Sequence, residues 1–366
     1  MKQISHRIPV MIVGAGRVAN NDHVPAWKGI KDVEIVAVCD KNQGNLQDTA
    51  ARWGIPRLYG TIDELLEEEE EGIVDICTTP ETHVDIAVRA MEKGHHVVVE
   101  KPVAVSSADT DTILREYQRR RNERIELCVV QSFLFAPEML TLRSILNKKP
   151  MDVLAVAIEM LHTPNDAMLS DRNHWVHSMR AGRLGENVIH PVYLLRSFLG
   201  PLSLMDVHCT KKGSYDWVPC DELHVACESD GKFGSIYVSF NNPRWTLNAS
   251  VRIYGKQRIL NLDGTNLTIQ SQGPALQGYL PEVRWSKWDI IRDSFVTSAQ
   301  ILGSTAHYAL GLLHGRLPAH QTMFRYFVGS IRNGRQTLPY TVEEACEANK
   351  TYVELTERIE RVSHRL

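Results

Sequence analysis

The sequence lacks any pairing pattern among its cysteines. The seven cysteines are scattered singly along the chain, with no CxxC pair. An odd and unpatterned set is typical of reduced thiols in a cytosolic protein, several of them simply buried core residues. We therefore expect a cytoplasmic protein.

An apolar leader and a long uninterrupted hydrophobic run are also missing. Residues 1–7 contain no apolar core of a signal peptide. The most apolar stretch, residues 294–313, is interrupted by serine, threonine, glutamine and histidine. A membrane-spanning helix needs about 20 predominantly apolar residues, so we expect a buried or interface helix here and no membrane span. A helix that anchors the chain to a surface is the alternative.

The chain has no strong excess of charge of either sign. Its 41 lysines and arginines nearly balance 44 aspartates and glutamates, which gives a formal net charge of −3. This balance gives no reason to expect nucleic acid or an anionic membrane as the main partner. With 366 residues and 43% hydrophobic residues, the chain is long enough for two globular domains.

Apolar runs alternate with helical segments over the first third of the chain. Val10–Val13 is apolar throughout, as expected of a strand buried on both faces. Repeated strand–helix–strand units of this length predict a doubly wound parallel sheet, hence an α/β fold. We place this first, Rossmann-type domain at residues 1–131. Its later strands are predicted at residues 33–39, 73–77, 97–99 and 126–131.

The pattern changes after Pro137. Longer strand-like segments predict an open, mainly antiparallel sheet with helices on one face, in a second α+β domain at residues 132–366. These segments are residues 153–160, 222–228, 232–240, 249–254, 258–261 and 267–269.

A glycine-rich turn follows the first predicted strand. Residues Gly14-Ala15-Gly16-Arg17-Val18-Ala19 fit the pattern G-x-G-x-x-G/A. In this pattern the first glycine permits a tight turn, the second lets backbone amides approach a pyrophosphate, and the third position keeps the helix close to the sheet. Asp40 ends the second strand near the offset of about 20 residues expected of a ribose-binding acid. A carboxylate there repels a 2′-phosphate, so NAD is favoured over NADP, although Lys41 softens this preference.

A lysine stands at the end of another predicted strand. Glu100-Lys101-Pro102 follows the apolar run Val97–Val99. Ligands of open α/β sheets bind at the carboxyl ends of the strands, which makes Lys101 a candidate for chemistry.

These motifs together resemble the Gfo/Idh/MocA oxidoreductases, named for glucose–fructose oxidoreductase, inositol dehydrogenase and a rhizopine-catabolism protein. The resemblance covers the whole first domain and, more weakly, the second. It implies a nicotinamide near Thr79 and Pro80, with Lys101 contacting both the nicotinamide ribose and the substrate hydroxyl. It also implies a homo-oligomer, a dimer or tetramer. The matching residues are Gly14–Ala19, Cys39-Asp40, Thr79-Pro80 with His83, and Glu100-Lys101-Pro102.

The family usually has an acid, three residues and then a histidine on a helix after a glycine-rich loop. Here Glu186 and His190 have that spacing, and on a helix they share one face. The resemblance implies that His190 is a general base oriented by Glu186, with Asn187 beside it at the substrate. A solvated ion pair is the alternative interpretation.

Several positions depart from the family pattern, and they surround the substrate rather than the cofactor. The departures are Glu186 for aspartate, Val188 for a frequent glycine, Tyr193 for a second acid, Glu81 for asparagine, and Leu134-Phe135 for Arg-Phe.

Two further hypotheses concern the segment before this helix. Trp175 and Arg183 are candidates to bind a sugar, or alternatively a packed aromatic residue and a surface cation. A zinc site would draw on histidines, but their spacing matches no recognised zinc motif, so we predict no metal. The candidate ligands of such a zinc site would be His162, His174, His177, Glu186 and His190.

We predict hydride transfer between NAD and a secondary alcohol of a sugar, polyol or sugar conjugate. Two alternatives stay open. One is a redox-neutral lyase or epimerase that uses NAD transiently, and the other is a catalytically silent NAD-sensing regulator.

Overall fold

Six parallel strands form the sheet of the first of two compact units. The computed structural model describes residues 7–243, 249–264, 266–271, 294–303, 305–306 and 319–363. The strand order is β3-β2-β1-β4-β5-β6, so the order reverses between β1 and β4, where ligands bind in such sheets. The strands are β1 (Ile8–Val13), β2 (Val33–Cys39), β3 (Arg57–Tyr59), β4 (Ile73–Ile76), β5 (His96–Val99) and β6 (Leu127–Val129).

Seven strands form the sheet of the second unit, in the order β13-β12-β11-β7-β10-β9-β8. Among the strands of the described residues, only the β7–β10 pair is parallel, which confirms an open and mainly antiparallel sheet. The strands are β7 (Val153–Leu161), β8 (Ser203–Thr210), β9 (Glu222–Ser229), β10 (Lys232–Ser239), β11 (Ser250–Gly255), β12 (Arg258–Asp263) and β13 (Asn266–Ser271).

Helices connect the strands, and polar side chains cap several of them. Asn42 and Ser106 accept backbone N–H bonds at two helix starts, and Thr61 forms a capping box with Glu64. The helices are α1 (Val24–Lys28), α2 (Gln43–Trp53), α3 (Ile62–Glu68), α4 (Pro80–Glu92), α5 (Ser107–Arg120), α6 (Pro137–Lys148), α7 (Ala167–Ser170), α8 (Gly182–Leu199), α9 (294–303), α10 (Ala319–Asn333) and α11 (Val342–Ser363).

The first unit contains residues 1–135 and also residues 317–353. The predicted boundary at residue 131 lies close to the first break, but the chain returns later, which the division at 132–366 did not include. The return has a physical basis in buried contacts. Phe324 of α10 stacks on Trp27 with ring centroids 4.1 Å apart, and Tyr340 donates to the backbone oxygen of Val129 over 2.6 Å.

Helix α9 lies beside the edge strand β13 in the second unit. The side-chain amide of Gln300 accepts from the backbone N–H of Ile269 and donates to its oxygen, while Phe295 and Leu302 are largely exposed. The rest of the apolar stretch, residues 304 and 307–313, lies outside the described residues. Among the helices of the described ranges, none is both long and apolar enough to cross a membrane.

Candidate active site

The glycine turn lies between the ends of β1 and β4. Gly14 has φ +96°, and a Cβ there would lie 2.8 Å from the backbone carbon of Cys77. Only glycine therefore fits this position. A Cβ on Gly16 would meet nothing within 4 Å, so the backbone here faces open space at the start of a helix. Such a turn can take a pyrophosphate, and it fits the dinucleotide that the motif predicts.

Asn20 holds this turn by hydrogen bonds to its backbone oxygens. Its amide nitrogen lies 3.0 Å from the backbone oxygens of Ala15 and Gly16, and its oxygen accepts from the indole of Trp53 at 2.8 Å. Asn20 thereby holds these two carbonyls and, with them, the conformation of the turn. The sequence motif leaves this position unspecified, and our prediction missed it.

Asp40 lies at the end of β2 and is fixed to the same turn. Its carboxylate accepts from the N–H of Ala15 at 2.7 Å and from the N–H of Asn42 at 2.8 Å. A carboxylate has about four acceptor positions, so two remain for ribose hydroxyls. Lys41 and Arg17 are exposed beside it, as is Val18.

Thr79 and Pro80 begin α4 after β4, and Thr79 is exposed. His83, one turn later, is fully buried. Its two ring nitrogens lie 2.9 Å from the oxygen of Pro102 and 3.1 Å from the oxygen of Thr78. Burial lowers its pKa, partly offset by these carbonyls. His83 thus links two loops, and its predicted contact with the cofactor stays a prediction.

Glu100 and Lys101 follow β5. Glu100 is buried and Lys101 half-buried, and the Lys101 N–H donates to Glu100 Oε2 at 3.0 Å. The ends of β1, β2, β4 and β5 thus bring the glycine turn, Asp40, Thr79 and Lys101 to one edge of the sheet.

A buried ionic cluster lies against Glu100. His23, fully buried, has Nδ1 at 2.9 Å from both oxygens of Asp75 and Nε2 at 2.8 Å from Glu100 Oε1. Trp27 also donates to Asp75. Burial lowers the pKa of His23, but Asp75 raises it well above its usual range. Burial raises the pKa of Glu100, but the bond from His23 brings it down to about 2. No motif or spacing in the sequence predicted this cluster.

Helix α8 carries the predicted acid–histidine pair in the second unit. Gly185 is required near its start, because a Cβ there would lie 1.9 Å from the oxygen of Arg180. Glu186 pairs with Arg183, and His190 Nδ1 lies 2.9 Å from the Tyr193 hydroxyl. Tyr193 replaces the family's second acid and supplies a polar partner for the histidine. The orienting role of Glu186 stays a prediction.

Arg183 is not a surface cation, since only 7% of it is exposed. Its guanidinium makes a two-bond contact with Asp166, at 3.0 and 3.1 Å, and lies 4.9 Å from the Phe240 ring centroid. It thereby fixes the polar loop before α8. Trp175 is 46% exposed and so is not a packed aromatic residue. Both remain predicted substrate ligands.

Asn187 is buried next to His162. Its amide nitrogen lies 3.1 Å from His162 Nε2, and its oxygen is buried without a partner. Burial and the charge of Arg183 lower the pKa of His162 to about 4, so His162 is neutral and can accept this bond. A buried orphan oxygen fits the predicted substrate role of Asn187.

Two groups of side chains in the described part of the chain are compact enough to hold one ion. Both contain His23, either with Asp75 and Cys77 or with Glu100 and His320. Neither includes the histidines of the second unit considered above as zinc ligands.

The first unit is similar in sequence to known oxidoreductases. Residues 8–131 match the profile of GFO_IDH_MocA, described as an oxidoreductase family with an NAD-binding Rossmann fold. A D-apiose dehydrogenase of Paraburkholderia graminis is 31% identical over 126 residues, 34% of this chain and 32% of that protein. An inositol 2-dehydrogenase of Salmonella typhimurium is 28% identical over 117 residues, 32% of this chain and 35% of that protein. The matched segments span about a third of these curated relatives.

Solved structures extend the likeness to the whole fold. A WlbA dehydrogenase from Bordetella pertussis, solved with NADH and UDP-GlcNAcA, has a TM-score of 0.74 at 18% identity, covering 97% of this chain and 96% of that one. A myo-inositol 2-dehydrogenase from Lactobacillus plantarum has a TM-score of 0.72 at 13% identity, covering 98% of each chain. At this identity the likeness establishes the two-domain fold.

Proposed function

Because residues 8–131 belong to the Gfo/Idh/MocA oxidoreductase family, we propose that the protein transfers a hydride between NAD and a secondary alcohol of a sugar, polyol or sugar conjugate. One observation carries this proposal. The glycine turn, Asp40, Thr79 and Lys101 stand at the carboxyl edge of one parallel sheet. Two curated relatives are named as dehydrogenases of apiose and of inositol. Their names support a carbohydrate as substrate.

The cofactor assignment rests on the glycine turn and Asp40. The turn would hold the pyrophosphate, and the two free acceptor positions of Asp40 would bind ribose hydroxyls. A negative charge at this place disfavours the 2′-phosphate of NADP. When bound, the nicotinamide supplies the hydride acceptor.

His190 is the proposed general base. For Nε2 to take the hydroxyl proton, Nδ1 must carry a hydrogen and donate it to Tyr193 Oη, 2.9 Å away. Lys101 would donate a hydrogen bond to the substrate oxygen and stabilise its developing negative charge. General base assistance contributes about 10²–10⁴-fold, so His190→Ala should lose turnover by that order while its NAD affinity stays unchanged.

Mass spectrometry of reactions with NAD and a panel of sugars, polyols and nucleotide-sugars tests the proposal. We expect a product two hydrogens lighter, absent with Lys101→Met. A product of unchanged or dehydrated mass would point instead to redox-neutral lyase or epimerase chemistry. NAD binding without any product would favour a regulator. In that case Lys101→Met should still bind the regulator's partner.

We also propose a homo-oligomer that uses the open face of the second sheet. Phe233 on the inner strand β10 is 69% exposed, an unusual state for a large aromatic side chain on a sheet. Light scattering should give a mass above that of one chain, and Phe233→Lys should reduce it. We further propose a cytoplasmic location, which the unpaired cysteines support.

A further inference from the structure

His23 is enclosed within the first unit. Its side chain has no exposed surface, and its ring lies 5.2 Å from the rings of His320 and Phe324. The charged or titratable groups around it are Asp75 and Cys77 at the end of β4, Glu100 after β5, Cys128 on β6 and His320 on α10.

The geometry determines the protonation of His23. Nδ1 and Nε2 each lie within 2.9 Å of a carboxylate oxygen, and a carboxylate can only accept. A neutral imidazole would direct a lone pair at one of these anions, in a place that water does not reach. When Asp75 and Glu100 are both carboxylates, both nitrogens donate and the ring is a cation.

Glu100 is held from both ends as a result. Oε1 accepts from His23 at 2.8 Å, and Oε2 accepts from the backbone N–H of Lys101 at 3.0 Å. His320 Nε2 lies 4.0 Å from the same Oε1 and closes the more exposed side. The orientation of the carboxylate thus fixes the backbone that carries Lys101.

We propose that His23 is a permanently protonated positioning residue, which acts through Glu100 to hold the backbone of Lys101. The link to catalysis rests on the proposed function, in which Lys101 contacts the substrate. The same two protons on His23 disfavour a metal ion in either of the groups described above, because an ion would have to displace one of them.

The first test is independent of any activity. Nitrogen-15 NMR of the histidines, at about pH 8, should find both nitrogens of His23 protonated, well above the ordinary histidine pKa. One unprotonated nitrogen would overturn the proposal.

The second test measures positioning directly. Hydrogen exchange of the Lys101 amide should accelerate by about fivefold or more in His23→Gln, since loss of one hydrogen bond costs about 1 kcal/mol or more. The matched control is His95→Gln, which alters another buried histidine, at the opposite end of β5. Unchanged protection of the Lys101 amide in folded His23→Gln would refute the proposal, whether or not the proposed function holds.

The third test applies to whichever substrate the mass-spectrometric panel identifies. Misplacement of a reacting group by about 1 Å can cost about 10²-fold. We therefore expect kcat of His23→Gln to fall by about 10–10²-fold, with NAD affinity and KM little changed. His95→Gln should keep wild-type kcat. Because His23 acts through Glu100, His23→Gln combined with Glu100→Gln should be no slower than the slower single variant. Fully multiplicative losses would contradict the route through Glu100.

Discussion

The ion pairs around Glu100 make the stability of the protein fall in acid. The pKa of Glu100 in the folded protein, about 2, lies below the ordinary value of 4.5. A depressed pKa contributes stability that is present above about pH 4.5 and lost as pH falls towards 2. The shift corresponds to about 3 kcal/mol. Urea unfolding of the wild type and Glu100→Gln should show a difference that shrinks across this window, whereas Ile113→Val, a core change, should give a constant difference.

The stability that His23 contributes depends on pH in the opposite direction. Its folded pKa is raised above the ordinary 6.5, so its contribution is complete below that value and declines as pH rises through the folded pKa. Unfolding curves of the wild type and His23→Gln should therefore converge at alkaline pH. A difference that grows with pH would show that His23 is neutral in the folded protein.

Asn20 is a residue whose loss should weaken the binding of the cofactor. Asn20→Ala frees the oxygens of Ala15 and Gly16 and leaves the Trp53 indole without this acceptor. With the turn no longer tied, NAD affinity should fall by about tenfold, the value of one hydrogen bond. Isothermal titration with NAD measures this. Asn42→Ala, which removes the N-cap of α2, should cost stability but little affinity.

At the scale of elements, Gly185 decides whether α8 can begin where it does. Alanine is normally the better helix former by about 1 kcal/mol, but here its Cβ would clash with the oxygen of Arg180. Gly185→Ala should destabilise the protein by about 3 kcal/mol, measured by urea unfolding. Gly303→Ala on α9, where a Cβ meets nothing within 4 Å, should be neutral or stabilising.

The strands that the sequence predicted were those with an unbroken pattern. Parallel strands such as Val10–Val13 are apolar throughout, and β9 and β10 alternate regularly. Strand β8 was missed because its register shifts between Leu204 and Asp206. Two exposed residues then follow each other, and the period of two that marks a strand is lost.

The site was predictable where a motif ties chemistry to a fixed spacing, as in the glycine turn, Asp40 and Lys101. The cluster around His23 was not, because it joins elements far apart in sequence. A π-helical turn, Ala19–His23, precedes α1 and sets the direction of the histidine. Such an insertion leaves no periodic signal in the sequence.

At the scale of the whole molecule, the first unit is discontinuous, and it should need both of its segments. Residues 7–135 alone would expose the Trp27 face that Phe324 covers, so this fragment should aggregate or stay unfolded. Joining residue 135 to residues 317–353 by a flexible linker should restore a folded, NAD-binding protein. Circular dichroism and NAD titration of the two fragments compare them, and an equally stable short fragment would show that the return segment is dispensable.

The contact between Trp27 and Phe324 also bears on how the chain is made. Synthesis proceeds at about 5–20 residues per second, so residues 28–323 separate the two partners of this contact by roughly 15–60 s. For that time the nascent first unit has its tryptophan and its charged histidine uncovered, and it cannot complete its core until most of the protein has been made. The ribosome would thus release the cofactor domain as one of the last parts to finish, although it is encoded first.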